Sequence, residues 1–221
     1  MQYGLLLLGE HPPDRLLRLG RLAEDHGFEH LWYADEKFFR DPYTSLTFLS
    51  RHTSRIKLGT CVADPYTRHP AITAMAMATM DEYAEGRGVL GIGVGFSGLQ
   101  AMDIPRERPV TALREAIELM RKLWAGGLVT YEGEMVSFRE GELNFKARPD
   151  LPIMVASAGR QVLGLAGEVA DKVMFGDLAS PQAIERAVKT VEMGASRAGR
   201  SLSDIYLITR VNLIISDDTK A

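Results

Sequence analysis

Ile56-Lys57-Leu58-Gly59-Thr60-Cys61-Val62-Ala63-Asp64-Pro65-Tyr66-Thr67-Arg68-His69-Pro70 is the stretch on which the fold turns. Ile56 to Val62 is a short, mostly apolar run and reads as a buried strand. A loop comes next. Pro70 stands where the first helical turn belongs, because a residue without an N–H is tolerated there. The helix continues through Ala71, Ala74, Met77 and Met80, and Gly86 marks its stop. The unit is strand, loop, helix.

The same unit recurs on both sides. Upstream, Tyr3 to Leu8 reads as strand one. A helix opens at Pro12-Pro13-Asp14, buries Leu16, Leu19 and Ala23, and closes at Gly27. His30 to Ala34 is strand two, with a helix around Pro42 to His52. Downstream, Val89 to Gly93 is strand four, and Leu113, Ala116, Ile117, Met120 and Trp124 mark a helix of 3.6-residue period. Val129 to Phe138 carries β-type residues around Glu132-Gly133 and reads as a hairpin. Ile153 to Ala156 is then strand five, with a helix after it over Gln161 to Ala170. Val173 to Gly176 is strand six, and Ser180-Pro181 caps a helix running to about Gly199. Ile205 to Ile215 is strand seven.

Strand and helix in strict alternation mean a parallel sheet with crossover helices. Seven such strands suit a TIM (β/α)8-type barrel better than a doubly wound sheet. The expected architecture is one barrel domain over residues 1–221, with a β-hairpin insertion at about 127–150 after the fourth helix, truncated after strand seven. Ser216 to Ala221 looks like the start of a further helix, which points to a fragment or a natural truncation. Such an open barrel would leave two strand edges to be covered.

Composition narrows the function classes. The 221 residues are 46% hydrophobic and 25% charged, an ordinary soluble balance. A net charge of -3 with no basic stripe argues against nucleic acid. The apolar run Leu5 to Leu8 is far too short for a bilayer, which needs about 20 residues, and has no signal-peptide flank, so no membrane is expected. The lone Cys61 fits a cytoplasmic protein. His11, His26, His30 and His52 show no metal-ligand spacing, so no metal is expected. His69 reads as the cap of the helix that Pro70 begins.

Four stretches carry a resemblance. They are Trp32-Tyr33-Ala34-Asp35-Glu36 with Arg40-Asp41-Pro42, Gly59 to Pro70, Gly86 to Gly95, and Ala156-Ser157-Ala158-Gly159. Together they resemble the luciferase-like monooxygenase superfamily, above all its coenzyme F420-dependent branch, that of the methylenetetrahydromethanopterin reductases. Gly133-Glu134-Met135 and Leu165 to Asp171 look like that branch too.

The resemblance implies an oxidoreductase that moves a hydride between coenzyme F420 and a small organic substrate. An FMN-dependent monooxygenase is the alternative, and a non-catalytic flavin-binding protein a second. In parallel barrels, sites form at the C-terminal ends of strands. There the resemblance implies that Asp35 contacts the deazaflavin; its plain alternative is a helix cap or a partner for Arg40. Cys61-Val62 is expected to be a non-prolyl cis peptide bulging under the ring, with Ala63 beside it; the alternative is a buried cysteine in an ordinary strand. Gly93, Val94 and Gly95 would let backbone approach the ring, although a tight turn needs those glycines anyway.

Ser157, Ala158, Gly159 and Arg160 would take the phosphate tail at a helix N-terminus, or else form a plain serine cap. Gly176 and Asp177 complete the mouth. Family members dimerise through the helix after Pro70, and that helix is apolar nearly all round, so a homodimer is expected.

Three departures bear on the chemistry. Glu36 stands where the family often has His, Leu6 where the reductase branch has Glu, and Phe96 where some F420-dependent dehydrogenases have an acid. A carbonyl substrate would need a proton, for which Glu10, Glu36 and Asp177 are candidates, and Asp35 and Glu36 are the catalytic candidates at the strand-two end. Phe96 suggests an apolar or flat substrate, and its identity stays open.

Overall fold

The computed structural model describes residues 2–176 and 180–213. Its elements are β1 (Gly4–Leu7), α1 (Pro13–Asp25), β2 (His30–Tyr33), α2 (Pro42–Ser50), β3 (Lys57–Thr60), α3 (Pro70–Tyr83), β4 (Gly88–Ile92) and α4 (Pro109–Ala125). Next come β5 (Val129–Glu132), β6 (Ser137–Gly141), β7 (Ile153–Ser157), α5 (Arg160–Val169), β8 (Lys172–Phe175), α6 (Pro181–Arg197) and β9 (Tyr206–Thr209). The expected elements are all present, with strands shorter than the apolar runs suggest. Strand one ends at Leu7 rather than Leu8, and strand three at Thr60 rather than Val62. The ladder stops where the chain bends into the loops at the mouth. The residues past 213 expected to extend strand seven, and the helix start expected at Ser216, lie outside the described residues.

Seven strands form one sheet in the order β1-β2-β3-β4-β7-β8-β9, all neighbouring pairs parallel. β5 and β6 make a separate antiparallel pair, the expected hairpin, inserted between α4 and β7. This is the (β/α)8-type arrangement without closure by hydrogen bonds between β1 and β9 among the described residues. Across that seam the Tyr206 hydroxyl meets Gln2 Oε1, and the Tyr206 ring lies 6.3 Å from His30.

Two cores form because strand side chains alternate between faces. The larger lies between sheet and helices and holds Leu7, Leu31, Leu58, Leu90, Ile153 and Val173 against the apolar stripes of the helices. The smaller fills the barrel interior with Trp32, Val89, Met154 and Met174. Gly59 makes that interior possible: a Cβ there would run into the Trp32 ring.

Two glutamates pin the loops. Glu24 on α1 accepts the N–H groups of Ser54, Arg55 and Ile56, fixing the entry to β3. Glu115 on α4, buried, accepts those of Glu134, Met135 and Val136, fixing the hairpin turn. Of these, the Val136 N–H is buried, and left unmade it would cost about 1–3 kcal/mol.

Candidate functional site at the C-terminal ends of the strands

The mouth is built from the loops that leave the C-terminal end of each strand. After β2 the chain runs Ala34, Asp35, Glu36, Lys37. Asp35 does not pair with Arg40, whose guanidinium donates to the carbonyls of Gly9 and Glu10. Its partner is Lys37, whose Nζ lies 2.9 Å from Asp35 Oδ1 and 3.0 Å from Asp64 Oδ2. Burial pushes the Asp35 carboxyl up from its usual range against the opposing pull of Lys37. Glu36 accepts from the Ser97 hydroxyl, and Ser97 Oγ in turn accepts from the Lys37 N–H at 3.3 Å. The loops after β2 and β4 are thereby latched together.

After β3 the Cys61–Val62 peptide is cis. Cys61, Val62, Ala156 and Ile208, partly buried, pack against the interior core and give it an apolar platform. Burial pushes the Cys61 thiol up to about 12, so it stays protonated and is a poor nucleophile. Ala63 is committed to β4: its N–H donates to Gly91 O and its carbonyl accepts from Gly93 N, both at 2.9 Å. Asp64 makes an Asx turn, accepting from Tyr66 N, Thr67 N and Thr67 Oγ1, each at 2.8 Å. Burial works against its charge, but the Thr67 N–H and Lys37 outweigh it and hold the carboxyl below the usual range.

After β4, Gly93 lies against the platform; a Cβ there would come within 2.9 Å of Val62. Gly95 has φ +65 and lies under Asp64, so no side chain fits there. Val94 is half-buried, and Phe96 points outward at 88% exposure.

After β7, Ser157 Oγ accepts from Gly159 N at 3.0 Å, and Ser157 O accepts from Gly176 N. The serine therefore closes its own turn rather than capping α5. That helix begins at Gly159 with no side-chain cap, and Ala158, Gly159 and Arg160 are exposed. Helices α1, α2, α3, α4 and α6 each carry proline in the first turn, whereas α5 keeps its N–H groups there. A free helix N-terminus beside an arginine attracts an anion. Asp177 lies outside the described residues. His69 caps α3 through Nδ1 and lies 3.1 Å from Ser137 O through Nε2, a structural role.

Such a mouth offers an apolar floor, a carboxylate acceptor and an anion-attracting helix start. The luciferase-like monooxygenase family matches residues 1–221. The chain belongs to that family. A 5,10-methylenetetrahydromethanopterin reductase of Methanolobus tindarius is 38% identical to it over 93% of the chain and 63% of that protein. An F420-dependent glucose-6-phosphate dehydrogenase of Microbacterium testaceum is 31% identical over 93% and 66%. The solved coenzyme F420-dependent tetrahydromethanopterin reductase of Methanopyrus kandleri superposes with a TM-score of 0.88 at 34% identity, over 94% of this chain and 65% of that one. The chain thus spans just under two thirds of the length of these luciferase-like relatives, and that superposition identifies the fold as the TIM-barrel type.

Sequence reasoning overlooked Lys37 and Ser97. A lysine two residues past a strand end looks like an ordinary surface residue, and the signal available was its place beside Asp35 and Glu36 in a mouth loop.

Proposed function

We propose that the protein is an F420-dependent oxidoreductase, moving a hydride between the deazaflavin and a small organic substrate. Bound coenzyme F420 supplies the hydride-carrying ring. The chain's own residues do the rest: Cys61, Val62, Ala63 and Gly93 to Gly95 floor the ring, Asp35 accepts a hydrogen bond from its edge, and Arg160 with the start of α5 and Gly176 hold its anionic tail.

One observation carries the reading. Acceptor, platform and open helix start stand together at the strand ends of a barrel whose relatives, with different substrates, are named for the same cofactor. Glu36 is the candidate proton donor, and its bond from Ser97 keeps it at the mouth. A homodimer through α3 and a cytoplasmic location complete the proposal; no helix among the described residues is long and apolar enough to cross a membrane.

Titration of the purified protein with F420, FMN and a nicotinamide, monitored by absorbance and fluorescence, tests it. F420 is expected to bind tightest and to support hydride exchange. Retained FMN with a yellow spectrum would favour the monooxygenase alternative, and tight binding without turnover the non-catalytic one.

A further inference from the structure

We propose that Lys37 is the positioning residue of this mouth: held between Asp35 and Asp64, its ammonium keeps Asp35 ionised and fixed as the acceptor for the cofactor ring. The inference rests on the F420 reading of the site and adds a residue to it.

The geometry is specific. Two carboxylate oxygens bound to one nitrogen at 2.9 and 3.0 Å stand no more than about 6 Å apart. Their side chains are 17% and 2% exposed, and the lysine is 12% exposed, so water does little to screen them. Lys37 Nζ also reaches Asp35 O at 3.3 Å, so its protons are committed to these acceptors. It is therefore a tether rather than a proton donor.

The two acids are not equivalent. Asp64 has three further donors, Tyr66 N, Thr67 N and Thr67 Oγ1. Among the described residues, Lys37 is the hydrogen-bonding partner of the Asp35 carboxylate. The other charged or titratable groups facing Asp35 are Asp64 and Arg68 from the loop after β3 and Tyr43 from α2. Arg68 is engaged elsewhere, 3.0 Å from Asp41 and stacked on the Tyr43 ring. Without Lys37, two like charges would face each other in a mostly buried site, and one would take up a proton. Asp35, with fewer donors, is that one. A protonated Asp35 accepts less well from a ring N–H, so cofactor affinity would become dependent on pH.

The simpler alternative is that Lys37 only ties three loops together, since structural ion pairs are common in half-buried loops. That role predicts loss of binding or stability at every pH alike. The test has two arms on the whole protein. In the first, the Asp35 carboxyl is titrated by 13C NMR without cofactor, in wild type, Lys37→Met and Lys37→Arg. Lys37→Met is expected to raise the Asp35 midpoint by about one pH unit or more, and Lys37→Arg to leave it near wild type. In the second, F420 affinity is measured at pH 5.5 and 8. Wild type and Lys37→Arg should change by less than about twofold between them, and Lys37→Met should be weaker at pH 5.5 by about tenfold.

An unmoved Asp35 midpoint in Lys37→Met overturns the proposal, and so does an affinity loss equal at both pH values. If Lys37→Met does not fold, Lys37→Gln takes its place: a raised Asp35 midpoint there supports the proposal and an unmoved one overturns it. A raised midpoint together with no F420 binding by wild type would sink the cofactor reading and leave the hold of Lys37 on Asp35 standing.

Discussion

His30 shows how a single side chain in this barrel carries a pH dependence. It is 4% exposed, its ring lies flat on Trp32 at 5.3 Å, and its Nε2 has no partner among the described residues. Burial, reinforced by the charges of Lys172 and Lys57, pushes the imidazole down to about 4. The unfolded chain binds that proton near pH 6.5, so the folded state is favoured above that pH and loses the contribution as pH falls towards 4. The whole shift corresponds to about 3 kcal/mol. Urea unfolding at pH 7.5 and 4.5 should show wild type losing a few kcal/mol on acidification. His30→Phe, which keeps the stack and removes the titration, should lose less by about 2–3 kcal/mol. Equal losses in the two proteins would contradict this account of His30. The same residue marks a limit of sequence reading: His30 opens an apolar strand, but nothing in the sequence tells its inward face from its outward one.

At the scale of elements, α3 is the helix with the least settled surroundings. One side packs on α2 and α4, and the Trp124 indole donates to Ala74 O at 3.0 Å. Ile72 and Met75 remain 48% and 42% exposed. If α3 is the dimer face, Ile72→Glu should weaken self-association at least tenfold in sedimentation velocity without changing the helical signal. A protein that is monomeric before the substitution, or a dimer indifferent to it, would rule that face out.

Elements of this kind are readable because apolar runs and prolines punctuate them: Pro13, Pro42, Pro70 and Pro181 open helices in the structure, whereas Pro109, which opens α4, is passed over in favour of the period that begins at Leu113. Their ends were read less well, since Thr60 to Val62 looks as strand-like as Lys57 to Gly59, yet the ladder stops at Thr60. Glu115 was not legible either. It sits beside the apolar stripe of α4 and looks like a solvated residue, until the hairpin turn brings three N–H groups to it.

For the whole molecule, parallel strands bring the loops after β2, β3, β4, β7 and β8 to one end. Residues far apart in sequence thus come to share a mouth: Lys37 meets Asp64, Glu36 meets Ser97, and Gly176 N meets Ser157 O. The alternation of strand and helix made that convergence predictable, and with it the positions of Asp35, Cys61 and Ser157. The side-chain partners were not predictable, because they depend on how far each loop folds back over the sheet. In the proposed function, the flat cofactor lies on the platform at Val62 and Ala156 with its anionic tail at α5.

Hydrogen exchange of the protein with and without saturating F420 tests this most directly. The expected outcome is slowed exchange confined to the mouth loops, residues 35–37, 61–64, 93–97 and 157–162, with no change at the opposite strand ends around residues 29–31. Protection located elsewhere, or none at a cofactor concentration that saturates binding, would contradict it.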